Sequence, residues 1–316
     1  MIGRSRAFRV VDALIGKISA FDAPVLIEGE TGTGKELAAR ALHYRGPRRS
    51  RPFVPVNCGA LPDHLIENEL FGHRRGAFTD ARDDKPGLVE VARGGTLFLD
   101  EVDTLTPKAQ VALLRFLQDQ RFRPLGGREE EQADLRIVTA SNCSLERRAA
   151  AGAFRIDLLY RLKLLYVELP PLRERPGDAA LLGEHFIGVA ARRYNKAPLA
   201  FDESTVAWFE RYTWPGNIRE LENITVRGFL LSEHDRVCIP PPASMQSRPA
   251  EAGAPCNYRR AKDQAITDFE RRFLAELINQ TNGNVSEAAR LSGTERRHLG
   301  RLIKKYGIAK PGSSRI

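Results

Sequence analysis

Residues 25–36, Val-Leu-Ile-Glu-Gly-Glu-Thr-Gly-Thr-Gly-Lys-Glu, constrain this chain more than any other stretch. Val25, Leu26 and Ile27 predict a buried strand, and the run from Lys35 to Leu42 predicts a helix. Between them a glycine-rich turn sets Gly29, Gly34 and Lys35 at P-loop spacing. Glycines let successive backbone N–H groups turn inward around a phosphate, and the helix that follows adds its positive dipole end. Gly29, Glu30, Thr31, Gly32, Thr33, Gly34, Lys35 and Glu36 are therefore candidate nucleotide-binding residues, with Lys35 placed to reach the β- and γ-phosphates. Glu36 stands where a Ser or Thr usually offers a hydroxyl to Mg2+, so another group must do most of the metal binding.

That group has a candidate in Gly94-Gly95-Thr96-Leu97-Phe98-Leu99-Asp100-Glu101, a turn, a short apolar strand and two adjacent carboxylates. In parallel sheets ligands bind at strand carboxyl ends. Asp100 is expected to hold Mg2+, directly or through water, and Glu101 to polarise the attacking water as general base. A strand ending at Asn57 and another over 135–142 ending at Asn142 complete the alternation expected of a parallel α/β core. Asn142 is either a γ-phosphate sensor or a strand-end cap. Arg155 and Arg161 are either surface charges or fingers reaching a neighbouring subunit's nucleotide. Pro170 and Pro171 close the last strand.

From Arg173 to Val237 the pattern is helical. Trp214-Pro215-Gly216-Asn217 predicts a turn launching a helix, with Asn217 as its N-cap. Arg219 then lies in a first turn, where a cation opposes the dipole unless an anion faces it; it is a candidate phosphate contact. The chain accordingly divides into an α/β core over 1–171, a helical lid over 172–238, a Pro-rich linker over 239–256 and a helical domain over 257–316.

The last domain predicts a helix over 269–279 with Phe269, Phe273, Leu277 and Ile278 inward, then helices over 285–291 and 295–306 around Ser292-Gly293-Thr294. Helix, short glycine turn and basic helix is helix-turn-helix geometry. Arg296, Arg297, His298, Arg301, Lys304 and Lys305 fall outward and are candidate contacts to double-stranded DNA. The formal charge is +9, and from Cys256 to Ile316 13 Lys and Arg stand against 6 Asp and Glu. Most of the excess is thus in one small domain, which points to nucleic acid rather than to a basic surface in general. Cys58, Cys143, Cys238 and Cys256 lack CxxC spacing, no apolar run approaches the ~18 residues of a membrane span, and no signal peptide is legible. These features imply reduced thiols, no membrane and a cytoplasmic protein.

One loop fits none of these roles. Gly76-Ala77-Phe78-Thr79-Asp80-Ala81 puts an aromatic among small and polar residues with no periodic apolar neighbours. Phe78 is either an exposed contact residue or tucked beneath its own hairpin.

On these stretches the chain resembles the bacterial enhancer-binding proteins, the NtrC-like AAA+ activators of sigma-54 RNA polymerase. The match covers residues 29–36, Glu-Leu-Phe-Gly-His at 69–73 with the loop 76–81, the Asp100-Glu101 strand, the Trp-Pro-Gly-Asn-Ile-Arg stretch and the helix-turn-helix. The resemblance implies that the 76–81 loop, similar to the family's GAFTGA, engages sigma-54. It implies that Asn57 switches the Glu101 carboxylate, that Asn142 is the first sensor and Arg219 the second, and that Arg155 and Arg161 are arginine fingers. It implies a Fis-type DNA-binding domain on an upstream site, ATP and Mg2+, and a ring, by resemblance a hexamer, of one or more kinds of subunit. Asp80 replaces the second glycine of the motif, adding a charge and restricting the loop. The chain begins almost at the ATPase domain, so the expectation is control by a separate protein, by expression level or by a partner subunit. Two other readings stand beside the activator: a DNA-binding regulator of this family that does not activate sigma-54, and an AAA+ remodeller whose helical domain serves protein contacts.

Overall fold

The structure, a computed structural model, describes residues 1–62, 66–78, 81–233 and 235–242, and in the carboxyl-terminal region 266–267, 270, 273–274, 277–278, 281 and 284–306. Thr79, Asp80, Phe269 and the expected linker from residue 243 lie outside the described residues. The chain divides into one compact unit over Met1–Pro242 and another over Ala243–Ile316.

The first unit is built on a five-stranded sheet. Its strands are β1 (Val25–Glu28), β2 (Phe53–Asn57), β3 (Thr96–Asp100), β4 (Arg136–Ser141) and β5 (Leu165–Glu168). All pair in parallel, in the order β2-β3-β4-β1-β5. Parallel strands need crossovers that put helices on both faces, so the inner strands β1 and β4 are buried at every position rather than alternating. β1 shows how one short strand feeds two cores. Val25 and Ile27 pack with α1 (Arg6–Ser19) and α2 (Lys35–Tyr44), against Ile15, Ile18, Ala38, Ala39 and Leu42. Leu26 points to the opposite face, among Leu97, Leu99 and Ile137. That second layer contains α3 (Ile66–Phe71), α4 (Pro107–Asp119), α5 (Leu145–Ala150) and α6 (Ile156–Leu162). α4 starts with Pro107 in its first turn behind the Thr106 cap, as its sequence implies.

The helical lid follows, with α7 (Asp178–Tyr194), α8 (Glu203–Phe209) and α9 (Asn217–Leu230). Trp208, Phe209 and Trp214 form its aromatic centre, and Trp214 Nε1 donates to Phe209 O at 3.0 Å. Ile239, placed by composition in the linker, is buried here, and its carbonyl accepts from Trp208 Nε1 at 2.8 Å. The N-cap of α9 is Gly216, not Asn217. Asn217 is itself the first residue of the helix, with a left-handed φ of 51° and a fully buried side chain.

In the second unit α10 (Val285–Ser292) is capped by Asn284 and ends on Gly293 at φ 63°. α11 (Arg296–Tyr306) then buries Leu299 and Ile303 against Ala288, Leu274, Leu277 and Ile278. Phe273, expected inward, is 43% exposed; Leu274, one position on, takes the buried place. Helix, left-handed glycine and basic helix form the geometry the spacing implies.

Candidate functional site

The carboxyl ends of β1, β4 and β3, three adjacent strands, each deliver a polar group to one place. After β1 the chain turns through Gly32 (φ 80°) and Gly34 (φ 95°) into α2. Only glycine suits this turn, because a Cβ on Gly32 would run into the Gly216 carbonyl oxygen of the lid. Lys35, buried in the first turn of α2, folds back across the loop. Its Nζ donates to Gly29 O at 2.8 Å, Glu30 O at 3.1 Å and Asn142 Oδ1 at 2.6 Å. Asn142 ends the central strand β4, between the other two, and its Nδ2 donates to Glu101 Oε1 at 3.3 Å. One side chain thus bridges the phosphate-loop lysine and the carboxylate after β3.

Burial holds the Lys35 ammonium below its usual range, against the pull of Asp100, Asp103 and Glu101. Burial likewise raises the Asp100 carboxyl, opposed by a hydrogen bond from the Glu101 N–H and by the Lys35 charge. Each group is disfavoured in its charged form by the dry setting and favoured by the other. Glu101 adopts a left-handed φ of 56°, uncommon for a side chain of its size and kept here by its neighbours. Asp100 is an oxygen donor facing the loop, as a hard divalent cation requires. Glu36 also lines the cleft, its carboxylate paired with Arg40 one turn along α2 at 2.7 Å. Among the described residues no cluster of three or more His, Cys, Asp or Glu forms a metal cage.

Arg219 and Glu222 of α9 line the same cleft, of about 300 Å3, together with Thr31, Gly32, Lys35, Asp100, Glu101 and Asn142. Arg155 and Arg161 do not line it; both are exposed on the α6 segment, Arg155 pairing with Asp157 at 2.7 Å. Asn57 does not bond Glu101. Its Oδ1 accepts from the Ala60 N–H at 3.2 Å, and a Cβ on Gly59 would run into the Glu101 carboxylate.

Several groups here escaped the sequence reading. Asp103 is buried and accepts from Ser141 Oγ at 3.1 Å and from the Asn142 N–H at 3.3 Å, fixing the end of β4. Asn217 spans core and lid. Its Nδ2 donates to Glu30 Oε2 at 3.1 Å and Thr31 O at 3.0 Å, and its Oδ1 accepts from the Leu172 N–H at 2.8 Å. Arg173 grips Glu30 through both guanidinium nitrogens, at 2.8 and 2.7 Å. These bonds, the Arg173 pair first, hold the Glu30 carboxyl below its usual range. A second groove, of about 760 Å3, shares Gly29 and Glu30 with the loop; α1 supplies Arg6, Ala7, Val10 and Val11, and Leu169, Pro170 and Pro171 lie opposite. Its walls are long-range neighbours, invisible to spacing.

Away from the cleft, Phe78 is 43% exposed and meets His73 edge-on, with centroids 4.9 Å apart. His73 is buried, with Nδ1 2.7 Å from Asn68 Oδ1. Gly76 and Ala77 lie in the same exposed turn, and Ala81 is buried beneath it. Arg296, Arg297, His298, Arg301, Lys304 and Lys305 are all exposed on α11. No helix among the described residues is long and apolar enough to cross a membrane.

Residues 1–168 match the model of the Sigma-54 interaction domain, 173–241 that of the AAA+ ATPase lid domain, and 265–306 that of the Fis family of bacterial regulatory proteins. The hydrogenase transcriptional regulatory protein HoxA of Bradyrhizobium diazoefficiens is 42% identical over 92% of this chain and 61% of its own length. The response regulator PilR of Pseudomonas aeruginosa is 40% identical over 98% of this chain and 70% of its own. Among solved structures, NtrX of Brucella abortus in complex with ATP superposes with a TM-score of 0.73 at 31% identity, covering 98% of this chain and 69% of that one. The chain therefore spans about three fifths to seven tenths of the length of these relatives. With its first 168 residues matching that domain, the chain belongs to the family of sigma-54 interaction domain proteins, AAA+ ATPases here joined to an AAA+ lid and a Fis-type helix-turn-helix.

Proposed function

We propose that this protein is an ATP-hydrolysing activator that binds an upstream DNA site through α11 and remodels the sigma-54 RNA polymerase closed complex. The observation that carries the chemistry is the Lys35–Asn142–Glu101 bridge across three strand ends. The backbone of Gly29–Gly34 and the Lys35 ammonium take the phosphate charge, and the groove against Val10, Leu169 and Pro170 takes the base. Within that groove the apolar side chains of Val10, Val11, Leu169 and Pro170 suit the flat face of adenine, beside the charged Arg6, Glu168, Arg173 and Glu174. Glu101 accepts the proton of a water whose oxygen bonds to the γ-phosphorus, while the bond to the bridging oxygen of ADP breaks and leaves ADP and inorganic phosphate. Asp100 is the residue that would hold Mg2+, which when bound neutralises charge on the phosphate oxygens. Asn142 holds Glu101 in line and reports whether Lys35 is engaged; Asn57 is close enough to compete for the carboxylate after a side-chain rotation. Arg219 brings a lid charge to the phosphates. Arg155 and Arg161, exposed and off their own cleft, suit the nucleotide of a second copy in a ring.

Phe78 and its neighbour Thr79 form the contact to sigma-54. The experiment is ATP-dependent open-complex formation with purified sigma-54 polymerase. Phe78→Ala is expected to abolish it while leaving ATP turnover within about twofold, because the ring is half exposed and remote in sequence from the phosphate loop. A second reading, a regulator of this family that does not engage sigma-54, is favoured by Asp80 in the glycine position of the loop. Absence of ATP-dependent sigma-54 engagement in both the natural protein and Asp80→Gly would select it.

A further inference from the structure

We infer that Asp178 is a positioning residue for nucleotide binding, pinning the amino-terminal turn of α1 as one wall of the groove beside the phosphate loop. The inference rests on the reading that this groove takes the nucleoside base.

Asp178 is the first residue of α7 in the lid, and it is fully buried. Its Oδ1 accepts from the Arg4 N–H at 2.6 Å and the Ser5 N–H at 3.0 Å. Its Oδ2 accepts from Ser5 Oγ at 2.9 Å and Arg175 Nε at 2.9 Å. The carboxylate therefore sits where the amino ends of two helices meet, α1 and α7, and both dipoles favour its charge. Burial alone would raise its pKa; the bonds from Arg4, Arg175 and Ser5 outweigh that and hold it below the usual carboxylate range. The Ser5 hydroxyl is used twice, since it also accepts from the Phe8 N–H at 3.2 Å as the N-cap of α1. Arg175 completes the latch, donating to Ile2 O at 3.0 Å and lying 4.7 Å over the Phe8 ring.

The first half of α1 has fewer other holds: Val11 packs partly against the core and Asp12 pairs with Arg45 at 2.9 Å. The buried apolar residues of α1, Ile15 and Ile18, lie in its second half. Arg6, Arg9 and Val10 are exposed. Yet Arg6, Ala7, Val10 and Val11 form the α1 side of the groove, opposite Leu169, Pro170 and Pro171. The groove's width is thus set by a contact made from the lid, through a residue outside it. A purely structural carboxylate would affect every ligand alike; a positioning one affects only ligands that carry a base.

The full-length chain is titrated with ATP and, separately, with inorganic tripolyphosphate, which offers the phosphates without the base. Asp178→Asn keeps the shape but turns one acceptor oxygen into an amide donor and removes the charge. It is expected to weaken ATP binding about tenfold and raise the KM for ATP to match, with kcat at saturation and tripolyphosphate affinity within about twofold. Ser5→Ala, which removes one donor to Asp178 and the N-cap acceptor of α1 but no charge, should show the same selectivity at about threefold. Val10→Asn, at a position 62% exposed and safe for folding, tests the groove itself by weakening ATP alone. Lys35→Ala should lose both ligands. Equal weakening of ATP and tripolyphosphate by Asp178→Asn, or no change in either, overturns the inference. If Asp178→Asn does not fold, Ser5→Ala decides on the same terms. An effect of Val10→Asn without one from the Asp178 and Ser5 variants defeats the latch alone. No effect from any of the three defeats the groove reading beneath it.

Discussion

At the scale of single residues, the cleft is governed by how few side chains share its charge. Lys35 donates to two carbonyls and to Asn142, so engaging a phosphate means giving up a bond, and Asn142 is the partner able to rotate away. The lysine and Glu101, the base proposed above, are then coupled through one amide. Lys35→Ala is expected to abolish ATP binding, because the phosphate charge loses its buried cation. Glu101→Gln should keep ATP affinity within about threefold yet cut hydrolysis at least about a hundredfold, since only proton acceptance is removed. A single-turnover assay on each variant separates the two effects, and undiminished turnover by Glu101→Gln would reassign the base.

At the scale of elements, the sheet fixes the distances, and buried polar groups lock helices to it. Arg136 opens β4 and is 3% exposed. Its guanidinium donates to Ile18 O, Ser19 O, Leu42 O and Ala23 O, at 3.2 to 3.4 Å. These carbonyls lie at or just beyond the carboxyl ends of α1 and α2, where a cation complements the dipoles. Burial lowers the Arg136 pKa without a buried carboxylate beside it, so the carbonyls do the work of counter-ions. Arg136→Met fills most of the same space with no donors. Its cost should be about 3 kcal/mol, the penalty for several buried acceptors left without partners. Urea unfolding measures it, and a loss below about 0.5 kcal/mol would show that water already serves these carbonyls.

At the scale of the whole molecule, the arginines of the α6 segment lie outside the cleft of their own chain. Arg155 and Arg161 are exposed and absent from the cleft walls, and Ile156 and Tyr160 on the same helix are 57% and 73% exposed. If this exposed face, with Arg161 beside unburied apolar side chains, meets the cleft of a second copy, where Asp100, Glu101 and Glu222 stand beside Lys35 and Arg219, the contact is head-to-tail. Such head-to-tail contact closes into a ring when the rotation allows. If the fingers act in trans, specific ATPase activity should rise with protein concentration, and Arg161→Ala should bind ATP normally but hydrolyse it about a thousandfold more slowly. Activity independent of concentration in a protein shown to be monomeric by sedimentation would rule this out.

Much of the protein was legible in its sequence because the deciding signals are local. A buried strand feeding a glycine turn and a helix, a strand ending in Asp100-Glu101, and a glycine between two short helices are each set by sterics and hydrogen bonding within about ten residues of chain. The exposure of the six cationic and histidine positions of α11 follows from the same helical period that buries Leu299 and Ile303. Only the tertiary structure decided the rest. Strand order put Asn142 between Lys35 and Glu101, and no spacing along the chain encodes which strand lies in the middle. Asn217 reads as a cap because its type and position suit one; its left-handed backbone instead sends the side chain to Glu30 and Thr31, 187 and 186 residues away. Asp178 resembles any acidic residue at a helix start until Arg4 and Ser5 fold against it from the far end of the chain. Local interactions chose the elements and the chemistry they carry, while long-range packing chose which of those groups meet, since their partners lie far away in sequence and close only in space.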